Sequence, residues 1–175
     1  MELSRVVGVV GELSRAYNYE VELPSEFVTS VTDLERIRIL CYEVSLPPLI
    51  NIEAERDFPV APGYYLPRPT GIQVGEVVLR FWETEDKVVL RYFKNWRNKM
   101  IVLDSGRSNF AEFKLPKMYL RDVRVWVVDG QQRRRWGWRF VRSFPTRVDE
   151  LRLSYTVSEV ISVGVTLVCE YIEEL

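Results

Sequence analysis

Between Cys41 and Met100 the apolar residues change their spacing repeatedly, and that succession limits the fold more than any other stretch of the chain. The run from Cys41 to Ser45 is strand-like and stops at Leu46-Pro47-Pro48, because proline cannot donate to a ladder. Residues 46–72 carry Pro47, Pro48, Pro59, Pro62, Pro67 and Pro69, with Gly63 and Gly71. From Gln73 to Trp82 the side chains alternate. Val77, Leu79 and Phe81 share one face, and Glu76, Val78, Arg80 and Trp82 share the other. Beyond the acids Glu83, Glu85 and Asp86, residues Val89, Tyr92, Phe93, Trp96 and Met100 recur at spacings of three and four, the stripe of an amphipathic helix. The acids suit the positive end of the helix dipole, and Thr84 is the candidate N-cap.

The flanks are also β-like. Tyr17, Tyr19, Val21 and Leu23 alternate with Asn18, Glu20 and Glu22 up to Pro24. Residues 25–35 read as a connection, and Ile37 to Ser45 as a strand apolar on both faces. Asp104-Ser105-Gly106 reads as a turn and Asn109 to Leu115 as a short strand. Met118 to Val128 alternates, Asp129-Gly130 signals a hairpin lengthened by Gln131-Gln132, and Trp136 to Ser143 returns. Phe144-Pro145-Thr146 marks a corner. Arg152 to Thr156 and Ile161 to Tyr171 close the fold, with Val163, Val165, Leu167, Cys169 and Tyr171 on one face. The expected class is mainly β (α+β). It has two packed antiparallel sheets forming a barrel or sandwich, one amphipathic helix at about 85–100 and a long extended loop at about 46–72. All 175 residues form one domain, with residues 1–16 as an N-terminal arm interrupted by Gly8 and Gly11. A chain of this length buries about 70% of its unfolded surface, so no disulfide or metal is required for stability.

The composition excludes most chemistry. There is no histidine, which removes the commonest general base and metal ligand and any Ser-His-Asp arrangement. Cys41 and Cys169 fall on apolar faces and read as buried thiols; a bridge between them needs neighbouring strands of suitable geometry. Glu83, Glu85 and Asp86 are the best carboxylate cluster, but at a helix start they serve as caps and dipole partners. Glu55, Arg56 and Asp57 read as a charged surface patch, and Gly8-x-x-Gly11 lacks the strand that a phosphate loop follows. No catalytic, metal or cofactor residues are expected, and no enzymatic activity. No apolar run follows a basic N-terminal region and no segment approaches the roughly 20 apolar residues of a membrane span, so neither a signal peptide nor a membrane partner is expected. Two cysteines fit folding in a reducing cytoplasm.

Two features invite partners. The loop at 46–72 holds Ile50, Ile52, Phe58, Tyr64, Tyr65 and Leu66, more apolar residues than a disordered linker carries. It reads as an extended arm or hairpin that docks on its own body or on a neighbouring subunit, through Phe58, Tyr64, Tyr65 and Leu66. The run Arg133-Arg134-Arg135-Trp136-Gly137-Trp138-Arg139 interleaves cations with aromatics, as nucleic-acid binders do. A plainer reading is a hairpin tip of solvated arginines leading into a strand whose tryptophans share a face. With 24 basic residues against 25 acidic, Arg133, Arg134 and Arg135 are better candidates for inter-subunit ion pairs than for nucleic-acid contacts.

Taken in order, several segments resemble the tail tube proteins of contractile-tailed bacteriophages and, more distantly, the tube proteins of type VI secretion. They are Tyr17-Asn18-Tyr19-Glu20-Val21; Cys41-Tyr42-Glu43-Val44-Ser45-Leu46-Pro47; Gly63-Tyr64-Tyr65-Leu66-Pro67; Leu90-Arg91-Tyr92-Phe93-Lys94-Asn95-Trp96; and Ser143-Phe144-Pro145-Thr146 before two closing strands. The resemblance implies a structural subunit of hexameric rings. Strands from each copy would line a central channel for DNA passage without sequence recognition, with the helix outside, and rings would stack into a tube. It implies itself, the tail sheath, and baseplate or tail terminator proteins as partners, and a place in the virion tail after assembly in the host cytoplasm. Two alternatives are a baseplate tube-initiator of the same fold and a monomeric β-barrel binding nucleic acid through Arg133 to Arg139.

Overall fold

The computed structural model describes residues 19–48, 52–61, 64–72, 75–103, 111–149 and 160–175. Along them run β1 (Tyr19–Glu22), α1 (Val31–Leu40), β2 (Cys41–Ser45), β3 (Ile52–Ala61), β4 (Tyr64–Ile72), β5 (Glu76–Trp82), α2 (Val88–Met100), β6 (Ile101–Leu103), β7 (Ala111–Phe113), β8 (Arg121–Val128), β9 (Arg134–Val148), β10 (Ser162–Val168) and β11 (Tyr171–Glu174). Short 3-10 turns occupy Ser25–Phe27 and Pro116–Met118. The expected arm at 1–16, the turn at 104–106 and the strand at 152–156 lie outside the described residues.

The main sheet is antiparallel in the order β1-β8-β9-β10-β5-β2, with β11 also on β9. Its first half is β1, β8, β11 and the N-terminal part of β9, where Trp138 faces Val125 and Glu174. Its second half is the C-terminal part of β9, β10, β5 and β2, where Val165 faces Val148 and Leu79. One strand therefore serves both halves. The expected corner at Phe144-Pro145-Thr146 lies within a continuous strand but coincides with a register shift against β10, where Pro145 faces Leu167 and Arg147 faces Thr166; a second, left-handed bend sits earlier, at Arg142, whose φ is 52°. β8 shifts register at the same level, between Arg121 and Val123, and Cys169-Glu170 interrupts the partner strand there between β10 and β11. Asp122 holds the bend: its Oδ1 accepts the Arg142 amide at 3.0 Å and its Oδ2 accepts Arg139 Nε at 2.9 Å. Ser143, fully buried, donates its hydroxyl to the Arg121 carbonyl at 2.7 Å.

One sheet face and both helices share a single core. Val77, Leu79, Phe81, Val163, Val165 and Leu167 are all fully buried, as their alternation requires. Tyr171 leaves that face because the break at 169–170 intervenes, and it is half-exposed. On α2, Val89, Tyr92, Phe93, Trp96 and Met100 are buried as expected. Their rings interlock: Phe81 lies 5.6 Å from Phe93, and Phe27 stacks on Trp96 at 4.6 Å. Three polar tips reach neighbouring loops. Tyr92 donates to the Pro24 carbonyl, Asn95 to Phe27, and the Trp96 indole to Tyr119.

Two local expectations are corrected. Residues 31–40 form α1, a second helix, where a connection and the start of a strand were expected. Ser30 Oγ accepts the Asp33 amide as an N-cap, and Leu34 and Ile37, one turn apart, enter the core. Ile37 is 0% exposed and Ile39 79%, so the pair does not share the face that a strand would give it. At α2 the N-cap position is Lys87 rather than Thr84, in a left-handed conformation without a side-chain cap. Glu83 does the capping from outside: its carboxylate accepts the Val89 and Leu90 amides at 3.2 and 2.8 Å. Both cysteines are free and buried, and no bridge joins them.

Phe81→Ala is expected to lower the unfolding free energy by about 3–5 kcal/mol, read from urea denaturation followed by circular dichroism. Arg142→Gly relieves the positive φ while losing an exposed ion pair, so it should stay within about 1 kcal/mol, whereas Arg142→Val should cost about 1–3 kcal/mol.

Candidate assembly surfaces

Among the described residues β1 and β2 end the main sheet, each with one ladder partner, and β11 likewise pairs only with β9. β1 and β2 approach each other where the Tyr19 hydroxyl donates to the Cys41 carbonyl at 3.1 Å. Burial, reinforced by Cys41, Glu43 and Tyr42, raises the Tyr19 pKa and keeps that donor protonated.

The expected loop at 46–72 is a hairpin. β3 and β4 form their own two-stranded sheet with irregular register, separate from the main one. It grows out of the antiparallel β2–β5 pair, in which Ser45 faces Val78. Its two feet touch at Pro47 and Gly75, where a Cβ on the glycine would overlap the proline ring. The expected arm residues all fall in the distal half: Phe58 faces Leu66, Pro59 faces Tyr65 and Ala61 faces Tyr64.

The three tip arginines are brought together on the β8–β9 hairpin, each already paired within the chain. Asp129 anchors the tip. It accepts the Gln131 and Arg133 amides at 2.8 and 2.9 Å, Arg133 Nε at 2.9 Å and Arg135 Nε at 3.0 Å. The Arg133 amide first, then its guanidinium and the Gln131 amide, hold the Asp129 pKa down at about 2 against a smaller opposing effect of burial. Arg134 points elsewhere. It grips Glu20 of β1 with two bonds of 2.9 and 2.8 Å and lies 5.2 Å above the Trp126 ring. Gly137 makes room for that ring, since a Cβ there would press on Trp126 and the Val125 carbonyl. Further along the same strands Arg124 pairs with Glu22, Arg139 with Asp122 and Glu173, and Arg142 with Glu170. Trp136 and Trp138 meet edge to face at 4.8 Å, with Trp136 the more exposed.

Two of the three carboxylates at 83–86, Glu83 and Asp86, serve structure. Glu83 caps α2, and Asp86 takes two bonds from Arg36 of α1, which lower its pKa to about 2. Among the described residues no group of three or more His, Cys, Asp or Glu is placed to hold a metal. Sequence reasoning missed two surface features. Tyr42 and Trp82 stack at 4.9 Å on the open sheet face, with the Tyr42 hydroxyl 2.6 Å from Ser162 Oγ. The outer face of α2 and the turn after β7 gather cations beside exposed Phe113, Leu115 and Met118.

The family model described as "Phage tail tube protein" matches residues 13–172, nearly the whole chain. The chain belongs to the phage tail tube protein family. Three solved structures share its fold. A chain of the sheath-tube complex of the PVC extracellular contractile injection system in the extended state aligns with TM-score 0.64 at 18% identity, covering 100% of this chain and 98% of that one. A chain from the anti-feeding prophage tube terminating cap aligns with TM-score 0.64 at 16% identity, covering 94% and 91%. One from the anti-feeding prophage baseplate gives 0.59 at 11%, covering 94% and 97%. Comparison with curated proteins gives no match. The chain is thus a tail-tube-like structural subunit.

Because the folded Asp129 pKa lies below its unfolded value of about 3.9, its contribution is complete at neutral pH and is lost as pH falls from about 4 to about 2. Amide NMR shifts of Gln131 and Arg133 should titrate across that window in the wild type and be flat in Asp129→Asn. Burial raises the Cys41 and Cys169 thiols to about 12 and about 11. Both are expected to resist a disulfide exchange reagent at pH 8 until the chain is unfolded; fast reaction of the native protein would contradict their burial.

Proposed function

We propose that this chain is the repeating subunit of a contractile tail tube, assembled as hexameric rings that stack around a central channel. The observation that carries the proposal is the pair of terminal strands, β1 and β2, beside an arm that among the described residues ladders only with itself. Open strand edges recruit strands from other chains. A closed ring of copies removes them, and one contact repeated head to tail gives that ring. The arm would dock through Phe58, Tyr64, Tyr65 and Leu66 on a neighbouring copy.

The fold is shared by tube, cap and baseplate chains of injection systems, which supports sheath, terminator and baseplate proteins as further partners. The cargo on this reading is DNA moving without sequence recognition, inside a virion tail assembled in the host cytoplasm. Internally paired arginines support that reading, because a guanidinium already neutralised by a carboxylate holds a passing phosphate weakly. The same pairing weighs against a monomeric nucleic-acid binder working through Arg133 to Arg139. The role on this reading is structural and not catalytic, and the engagement of Glu83 in capping and of Asp86 in helix–helix pairing supports it. A tube-initiator of this fold differs in having one face that does not accept another ring.

Negative-stain electron microscopy and sedimentation of the purified chain are expected to show sixfold rings with an open centre, and stacked tubes at high protein concentration. A monomer that persists at high concentration refutes the assembly reading. Rings that never stack point to the initiator.

A further inference from the structure

Most of the charged surface is self-compensated. Arg36, Arg38, Arg80, Arg91, Arg121 and Arg124 all face a carboxylate of this chain, as do the tip arginines and Arg139, Arg142 and Arg147. The lysines among the described residues depart from this rule, and all of them except Lys87 gather, with Arg97, in one region. Lys94, Arg97 and Lys99 on the outer face of α2, with Lys114 and Lys117 beside it, pair with no carboxylate among the described residues. The two groups are joined directly. The Lys114 amide donates to the Met100 carbonyl at 2.8 Å, and its Nζ donates to Asn98 at 2.9 Å. Cations favour a helix C-terminus, but the dipole there amounts to about half a charge and accounts for one or two of them. Three large apolar side chains stand among these cations: Phe113 is 70% exposed, Leu115 62% and Met118 42%. Such a concentration marks a contact surface.

We infer that this basic, apolar patch receives the β3–β4 arm of a second copy. The arm has the complementary chemistry. Its strands carry Glu53, Glu55 and Asp57 against Arg56 and Arg68, and the apolar and aromatic residues Phe58, Tyr64, Tyr65 and Leu66. An isolated two-stranded ribbon is marginal in water and needs a surface to lie on. Strands of this length span roughly 30 Å, enough to cross from one small domain to the next. The patch lies at the level of the arm's root: Tyr119 packs on Phe144, which faces Val168, which faces Glu76. An arm leaving one copy there meets the matching level of its neighbour. The inference rests on the ring-forming reading and adds a specific donor and receiver to it.

Charge exchange tests it. Lys114→Glu with Lys117→Glu, and separately Glu53→Lys with Glu55→Lys, should each reduce the assembled fraction at least about tenfold, and the four changes together should restore it to within about threefold. Far-UV circular dichroism and melting of each variant confirm that it folds. As a second readout, Tyr65→Cys protein mixed with Leu115→Cys protein should give an oxidised heterodimer, since the native cysteines are buried. Assembly unchanged by either reversal, or a quadruple variant no better than either pair, overturns the inference while wild-type rings leave the assembly reading standing. So does a double-cysteine chain that bridges only within the monomer. Retention of a short DNA duplex that is lost in the lysine variants, with assembly intact, would reassign the patch to polyanions. Wild-type protein that forms no rings removes the reading beneath it.

Discussion

Everything in this fold turns on the bend in β9. A fifteen-residue strand cannot serve both halves of a sheet while staying straight, and here a single non-glycine residue takes the left-handed conformation that turns it. Such a conformation costs about 1–3 kcal/mol and persists only when its surroundings dictate it. They do so from three sides. Asp122 captures the bent amide and the Arg139 guanidinium, Ser143 ties the next residue to β8, and Glu170 meets the Arg142 side chain at the matching break in the partner strand. Burial works to raise the Asp122 pKa, but the amide and the guanidinium outweigh it and hold the carboxyl low. Once the corner is set, the sheet packs against the aromatic stripe of α2 and leaves its cationic face in water.

Much of this was legible where one physical pattern dominated. The period-two rows through Val77 and Val163 and the three-four stripe through Tyr92 and Trp96 are burial patterns, and burial is what the structure enforces there. Reading failed where a local cap outweighed the run of residues that followed it. Ile37, Ile39 and Cys41 look like a strand, yet Ser30 and Asp33 start a helix that carries Ile37 inward and leaves Ile39 in water. The spacing Ser30-x-x-Asp33 before an apolar run was the available signal. Phe144-Pro145-Thr146 signalled the register shift at Thr146, whereas the bend upstream was missed because it belongs to an arginine with no sequence signature for positive φ.

For the candidate surfaces, composition identified the right segments but not their partners. The arm is a hairpin carrying the four named residues near its end. The tip arginines are where the Asp129-Gly130 turn predicts, but which carboxylate each one meets depends on β1 lying beside β8, a contact about 110 residues distant in sequence. The basic patch was invisible for a similar reason. It is made of an exposed helix face and a 3-10 turn that meet only through the folding of β6 and β7 between them.

The bond from the Tyr19 hydroxyl to the Cys41 carbonyl has a consequence for how the molecule meets its neighbours. The Tyr19 side chain spans the gap between the two ends of the sheet, and among the described residues no backbone ladder joins them. One such bond is worth about 1 kcal/mol, while every residue of an incoming strand offers a backbone bond of its own. A seam held by one such bond resists an incoming strand by no more than that bond.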